Sequence, residues 1–137
     1  MMVVFDNNIV LDALLERKPF YAVSERLLMA CASEHSGYLT ANSLTDIFYV
    51  LSKHIGAVKA KQATKKLIEL FTIISVDWED CLNALELPLN DFEDALIIAC
   101  AKKTGIDYIV TRDNKFLDVD SPIPVLSIDQ LLEILNC

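Results

Sequence analysis

A Val-rich apolar run over residues 2–5, stopped at once by Asp6, sets the first constraint on this chain. A short continuous run of this kind suits a strand covered on both faces, as in a parallel sheet. Four further runs read as strands, over 38–40, 72–76, 108–111 and 123–126. Pro122 and Pro124 open the last one, which fits an edge strand. Helical segments separate them. Asn8 can cap a helix carrying Ile9, Val10, Ala13 and Leu14, which Pro19 breaks. A second helix spans 21–34, with Gly37 closing it. Asn42 or Ser43 caps a third that runs to His54 and stops at Gly56. A basic helix follows over 58–71, then a short one over 79–87 between Asp77 and Pro88. Asn90 or Asp91 caps a long helix to Lys103, ended by Gly105, and Ser127 caps the closing helix through Leu135. Strands alternating with helices predict an α/β fold: a parallel sheet, helices on both faces, right-handed crossovers. No repeat, linker or low-complexity tract divides the chain, so a single domain is expected over 1–137.

With 53% hydrophobic and 23% charged residues the composition is that of a packed globule. No apolar run reaches the roughly 20 residues that span a bilayer. The opening segment lacks a basic flank and meets Asp6 too early for a signal peptide, which predicts a cytoplasmic protein without membrane association. Cys31, Cys81, Cys100 and Cys137 show neither CxxC pairing nor zinc spacing, so reduced structural thiols are expected. Twelve basic against 20 acidic residues give a net charge of −8, which opposes binding to a polyanion. That objection weakens if several acids hold a divalent ion, since each ion restores two positive charges. The placement of the acids therefore matters more than their number.

In an open parallel sheet the working crevice lies beyond the carboxyl ends of the strands. Asp6 follows the first strand and Asp113 the fourth, so both belong on that edge, unless they only cap the next helices. Asp94 stands in Phe-Glu-Asp-Ala-Leu-Ile-Ile-Ala-Cys-Ala over 92–101, a helix apolar on nearly every side after its first turn. Such a helix is buried, and an ionised carboxylate there is costly without a partner. Asp94 either serves a ligand or closes a capping box with Asp91. Asp46, among apolar neighbours, is likewise expected to be buried, as a ligand or as the partner of Ser43 in a box. Asp91 and Glu93 read as helix-start acids favoured by the dipole. Four carboxylates in one crevice repel one another strongly unless a cation intervenes. An all-oxygen set with no His or Cys beside it suits Mg²⁺ or Mn²⁺, and such a site suits phosphodiester hydrolysis.

Several blocks resemble the PIN-domain family. Val3-Val4-Phe5-Asp6-Asn7-Asn8-Ile9-Val10-Leu11-Asp12 is similar to its opening. Asp91-Phe92-Glu93-Asp94-Ala95-Leu96 and Asp107-Tyr108-Ile109-Val110-Thr111-Arg112-Asp113 are similar to its third and fourth blocks, and Pro122-Ile123-Pro124-Val125-Leu126 to its last strand. The resemblance spans nearly the whole chain. It implies a single PIN-like domain and a Mg²⁺- or Mn²⁺-dependent ribonuclease, such as the VapC-type toxins of toxin–antitoxin pairs. By the same resemblance Asp6, Asp46, Asp94 and Asp113 form the acidic quartet, and RNA is the substrate. Asn8 supports the first acid, Thr111 supports the last, and Asp12 and Asp91 lie just behind them. A cognate antitoxin and a homodimer are the implied partners. The chain departs from the pattern at Asn7, where Thr or Ser is usual, and at Asp46, where Glu is usual. Its fourth acid, Asp113, comes earlier than in many members.

Two other classes compete. A receiver domain would use Asp77, after the third strand, as phosphoacceptor, but it needs paired acids after the first strand and a Lys after the last. A PIN fold that binds RNA or protein without cleaving fits the departures at Asn7 and Asp46. Lys59, Lys61, Lys65 and Lys66 read as a solvated helix face, whereas Arg112 and Lys115 flank the acids closely enough to steer an RNA backbone. His35 and His54 read as helix-end residues, and Trp78 and Tyr49 as core or interface aromatics.

Overall fold

The computed structural model describes residues 1–34 and 36–135. Five strands, β1 (Val3–Phe5), β2 (Gly37–Thr40), β3 (Thr72–Ile74), β4 (Tyr108–Val110) and β5 (Val125–Leu126), form one sheet in the order β3-β2-β1-β4-β5. Every pairing is parallel. The chain steps outward from β1 to β3, then returns to lay β4 on the other side of β1. The strand order thus reverses between β1 and β4, where open α/β sheets form their crevice. Phe5 aligns with Val110, so Asp6 and Thr111 leave the sheet side by side.

Helices α1 (Asn7–Leu14), α2 (Tyr21–Ser33), α3 (Ala41–Ile55), α4 (Ala57–Leu70) and α8 (Ile128–Leu135) cover one face. There Val3, Phe5, Leu39 and Val110 pack with Ile9, Leu27, Ile47 and Leu131. Because side chains alternate across a strand, Val4 and Ile109 point the other way, onto Ile97, Ile98 and Phe116. Those belong to α6 (Phe92–Thr104) and α7 (Asn114–Leu117), with α5 (Trp78–Leu85) packed against α6. Squeezed between sheet and α5, α6 is buried without interruption from Asp94 to Ala101, as its unbroken apolar sequence predicts.

Four strands are shorter than the apolar runs implied, β2 begins one residue earlier, at Gly37, and α7 is an element that the sequence pattern does not announce. The caps also differ. Asp6, not Asn8, caps α1, with its carboxylate accepting from the Asn7 amide. Helix α3 starts at Ala41, directly after β2, so neither Asn42 nor Ser43 caps it; the Ser43 hydroxyl is buried 2.7 Å from that of Thr40. Gly37 opens β2 rather than closing α2. Asp77 caps α5 in a reciprocal pair with Asp80, and a sheet ordered β3-β2-β1-β4-β5 is not the 2-1-3-4-5 order of receiver-type folds. Gly105 (φ 78°) ends α6 in the left-handed conformation that glycine adopts without strain, and Ser127 caps α8 through the Gln130 amide.

Cys31 and Cys100 are buried thiols and Cys81 a half-buried one, while Cys137 and His35 lie outside the described residues. The ring Nδ1 of His54 lies 2.9 Å from the Val50 carbonyl at the end of α3. Lys59, Lys61, Lys65 and Lys66 face solvent, as expected of a solvated helix face. Trp78 and Tyr49 are 70% and 60% exposed, so neither is a core aromatic. Among the described residues no helix is long and apolar enough to cross a membrane.

One glycine is required by packing. A Cβ at Gly37 would fall inside the van der Waals envelope of the Phe71 ring. Phe71 is buried and held edge-to-face against Phe5, centroids 5.4 Å apart, so a displaced ring would give up that contact. Gly37→Ala is therefore expected to lower stability by about 1–3 kcal/mol through overpacking. Urea unfolding checks it; an unchanged midpoint would mean that the ring moves aside.

Candidate active site

At the β1–β4 switch point the backbone fixes the first acid. The Asp6 amide donates to the Val110 carbonyl (3.0 Å), which ties the end of β1 to β4. Its carboxylate then receives three donors: the Asn7 amide (2.8 Å), the Asn8 side-chain amide (3.2 Å) and the Thr111 hydroxyl (2.7 Å). Asn8 also reaches the Thr111 hydroxyl, at 3.4 Å. Thr111 in turn accepts from the Asp113 amide (3.1 Å), so one buried hydroxyl positions the chain around both strand-end acids. Burial pushes the Asp6 carboxyl above its ordinary range, the Thr111 and Asn7 donors pull it back, and Asp113 and Asp91 add to the push.

Asp94 comes from the first turn of α6 and is only 9% exposed. The Asp91 carboxylate caps the helix by accepting from the Asp94 amide (3.0 Å). The cap is one-way: the Asp94 carboxylate does not return to the Asp91 amide, so no capping box consumes it. Burial first, then the charges of Asp6, Asp91, Asp113 and Glu93, raise its carboxyl to about 7. Asp91, Asp94, Asp113 and Lys115 line a cavity of about 480 Å³ together with Leu89, Asn90 and Val119. Asp113 also caps α7, accepting from the Lys115 amide (3.0 Å).

Asp46 lies exposed on α3, contrary to the burial its neighbours implied, and no box joins it to Ser43. It meets the site through Asn7, whose side-chain amide donates to Glu93 (2.7 Å) and reaches Asp46 at 3.4 Å. Glu93 is the acid that sequence reading assigned only to the helix dipole. Partial burial and the adjacent Asp46, with help from Asp6 and Asp91, raise its carboxyl to about 7. Its spacing from Asp94 gave no clue, because adjacent helix positions do not share a face; the signal was Asn7, whose amide can bridge two carboxylates where a Thr or Ser cannot. Asp12 stands apart. It is fully buried and paired with Arg112 and Arg17 rather than with any of the acids.

The arrangement is an anionic crevice in which Asp94 feels Asp6, Asp91, Asp113 and Glu93, and Glu93 carries the chain of charge on to Asp46. Like-charged oxygens at this density, in a crevice without His or Cys, have the donor chemistry of a hard divalent cation. The buried Oδ1 atoms of Asn7 and Asn8 have no protein partner and could accept from ordered water there. Among the described residues no three of these groups are already gathered as a ligand set, so the fit is one of chemistry and charge.

A family model described as PIN domain matches residues 2–115. The chain belongs to the PIN-domain family. PIN domains of the VapC class are nucleases, and several solved structures share the fold. VapBC2 from Rickettsia felis, bound to a DNA fragment from its promoter, superposes with a TM-score of 0.71 at 17% identity, over 93% of this chain and 98% of that one. FitAcB from Neisseria gonorrhoeae gives 0.71 at 18%, over 93% and 98%. VapC20 from Mycobacterium tuberculosis, a sarcin–ricin loop cleaving toxin, gives 0.69 at 15%, over 83% and 92%. No curated protein matches by sequence.

The raised carboxyls carry a pH signature. In the folded chain Asp94 and Glu93 hold protons up to about 7, against ordinary values of 3.8 and 4.5. Between those limits the native state binds more protons than the unfolded one, so stability is full below the ordinary values and is lost as pH rises through 7. Metal-free protein in chelator should melt at a higher temperature at about pH 5.5 than at about pH 8. Asp80, lowered through Lys103 and Asp77 despite its burial, loses its contribution only below its ordinary value and leaves this window untouched. A melting temperature that climbs across the window would contradict the crowding.

Proposed function

We propose that this PIN-domain chain is a divalent-metal-dependent endoribonuclease and the toxin of a toxin–antitoxin pair. The observation that carries the reading is Asp94, a carboxyl buried at the head of an otherwise apolar helix, unclaimed by its cap and crowded by Asp6, Asp91, Asp113 and Glu93. Groups so arranged cost stability, and a fold keeps such strain where function needs it. Asp6, Asp94 and Asp113 would hold Mg²⁺ or Mn²⁺ from the strand-end side, with Asp46 and Glu93 reaching it across Asn7. When bound, the ion supplies positive charge against the phosphate and orients a water for attack. The protein's share is to hold that geometry. Asn8 and Thr111 fix the Asp6 carboxylate, Thr111 and the α7 cap fix the turn at Asp113, and the buried α6 keeps Asp94 from turning out to solvent.

RNA as substrate is supported by family membership and by the relative that cleaves the sarcin–ricin loop. An antitoxin partner is supported by the neighbours solved as toxin–antitoxin complexes, one of them from Klebsiella pneumoniae. A homodimer and a cytoplasmic location complete the proposal. One observation favours a second reading, a PIN fold that binds without cleaving: the acids are not already gathered as ligands among the described residues.

Cleavage of single-stranded or structured RNA should require Mg²⁺ or Mn²⁺ and stop in excess chelator; activity that persists there refutes the metal mechanism. A parent chain that binds RNA but does not cleave it with either ion would favour the second reading, and Asp94→Asn tests the role given to Asp94. The amide is nearly isosteric and keeps the backbone cap from Asp91, so no cavity opens. Cleavage should be abolished while metal-free stability rises by on the order of 1 kcal/mol. Loss of about 0.5–1 kcal/mol with cleavage intact would instead make Asp94 a capping residue.

A further inference from the structure

The nuclease mechanism leaves unused the most tightly engaged cation near the acids. Arg112 stands between Thr111, which positions Asp6, and Asp113. Its Nε and one Nη grip the two oxygens of Asp12, the latter at 3.1 Å. The guanidinium also lies over the Phe20 ring, 4.1 Å from its centroid. Stacking and a bidentate grip together leave it little rotational freedom.

A structural ion pair accounts for only part of this. Asp12 is fully buried and needs one cation, yet it has two: Arg17 lies 3.6 Å from the same carboxylate. Both arginine side chains stay about one-third exposed, and the two of them against one buried carboxylate leave the assembly with a net positive charge. They do so in a chain with a net charge of −8. The excess charge is not spent on the acid crevice, since no hydrogen bond joins Arg112 to Asp6 or Asp113 among the described residues. It is close enough to feel them: its hydrogen bonds to the Asp12 carboxylate first, then the charges of Asp6 and Asp113 at longer range, hold the Arg112 proton more firmly than usual. The second Nη of Arg112 makes no hydrogen bond among the described residues. Arg112 and Phe20 line an open cavity of about 220 Å³ that shares Thr111 with the acid site and is also lined by Asn114 and Ser127. Val23, Leu117 and Ile128 form its apolar wall, and the exposed Asp129 also lines it.

We infer that Arg112, backed by Asp12 and Phe20, forms a phosphate-binding subsite that grips the RNA backbone beside the acids. This rests on the nuclease reading and adds to it what the acids cannot supply, a fixed positive contact for a polyanion. A guanidinium is suited to the task because its planar fork matches phosphate oxygens and it stays charged at every working pH. Its rigidity also means that little side-chain freedom is lost when the phosphate arrives.

The test is the salt dependence of cleavage of a mixed-sequence single-stranded RNA in Mn²⁺, across a KCl series. The double variant Asp12→Asn/Arg112→Gln removes the pair as a unit and leaves the net charge unchanged. It should raise KM by about tenfold, move kcat less than KM, and make the dependence of log KM on log salt shallower by about 0.7, the value of one single-strand phosphate contact. A purely structural pair would leave KM and the salt slope at their parental values, and that result overturns the subsite while the nuclease reading stands. A fall in kcat alone overturns it too. A parent protein that neither binds nor cleaves RNA overturns both. If the double variant does not fold, Arg112→Lys decides, because it keeps the charge and the contact with Asp12. A KM raised by at least about threefold at a parental melting temperature supports the subsite, and a parental KM overturns it.

Discussion

The hydrogen bond from the buried Thr111 hydroxyl to the Asp6 carboxylate, 2.7 Å long, holds the chemistry of this protein in place. It joins the ends of β1 and β4 at the point where the strand order reverses. Everything near it follows from that junction. Asp6 can cap α1 only because its other oxygen is occupied by Thr111 and Asn8, and the turn to Asp113 hangs on the same hydroxyl. Two covered sheet faces make the junction dry, and dryness is what lifts the carboxyls near it. An open, one-layer sheet with the same acids would leave them solvated and ordinary.

The buried helix α6 supplies the opposing wall. Its apolar surface contacts β-sheet residues on one side and α5 on the other, so its register relative to the sheet is not free to slide. Asp94 enters the crevice at a fixed height because Ile97, Ile98 and Cys100 are seated below it. On the solvent side the exposed Asp46 of α3 and the half-buried Glu93 of α6 are linked by Asn7 of α1.

Much of this was legible in the sequence. The α/β class, the parallel sheet, the buried α6 and the strand-end location of Asp6 and Asp113 all follow from period and punctuation, which are local signals. Asp94 stood out because it broke an apolar pattern. What was not legible depended on pairing across the chain. Glu93 looked like any first-turn acid, because only the fold brings Asn7 to it, 86 positions away. Asp12 looked like a neighbour of the site, yet Arg112, 100 positions on, turns it into an ion-pair anchor. Asp46 is exposed despite its apolar neighbours because adjacent positions on a helix point in different directions, so Ile47 is buried while Asp46 beside it meets solvent. Caps misplaced at Asn8 and Asn42 share a cause: β1 and β2 run almost directly into their helices, so Asp6, the first residue past β1, and Thr40, the last of β2, take the capping positions.

The central claim is that the crowded carboxyls exist to be neutralised by a divalent ion. The most direct measurement is the number of protons released when Mn²⁺ binds, obtained by calorimetry near pH 6.5 in buffers of different ionisation enthalpy. Asp94 and Glu93, with carboxyls at about 7, hold protons at that pH and must surrender them to a cation. Saturable binding with release of about one proton or more per ion is the predicted result, and the release should fade towards about pH 8.5 as those groups ionise on their own. Binding without proton release, or no binding at all, would contradict it.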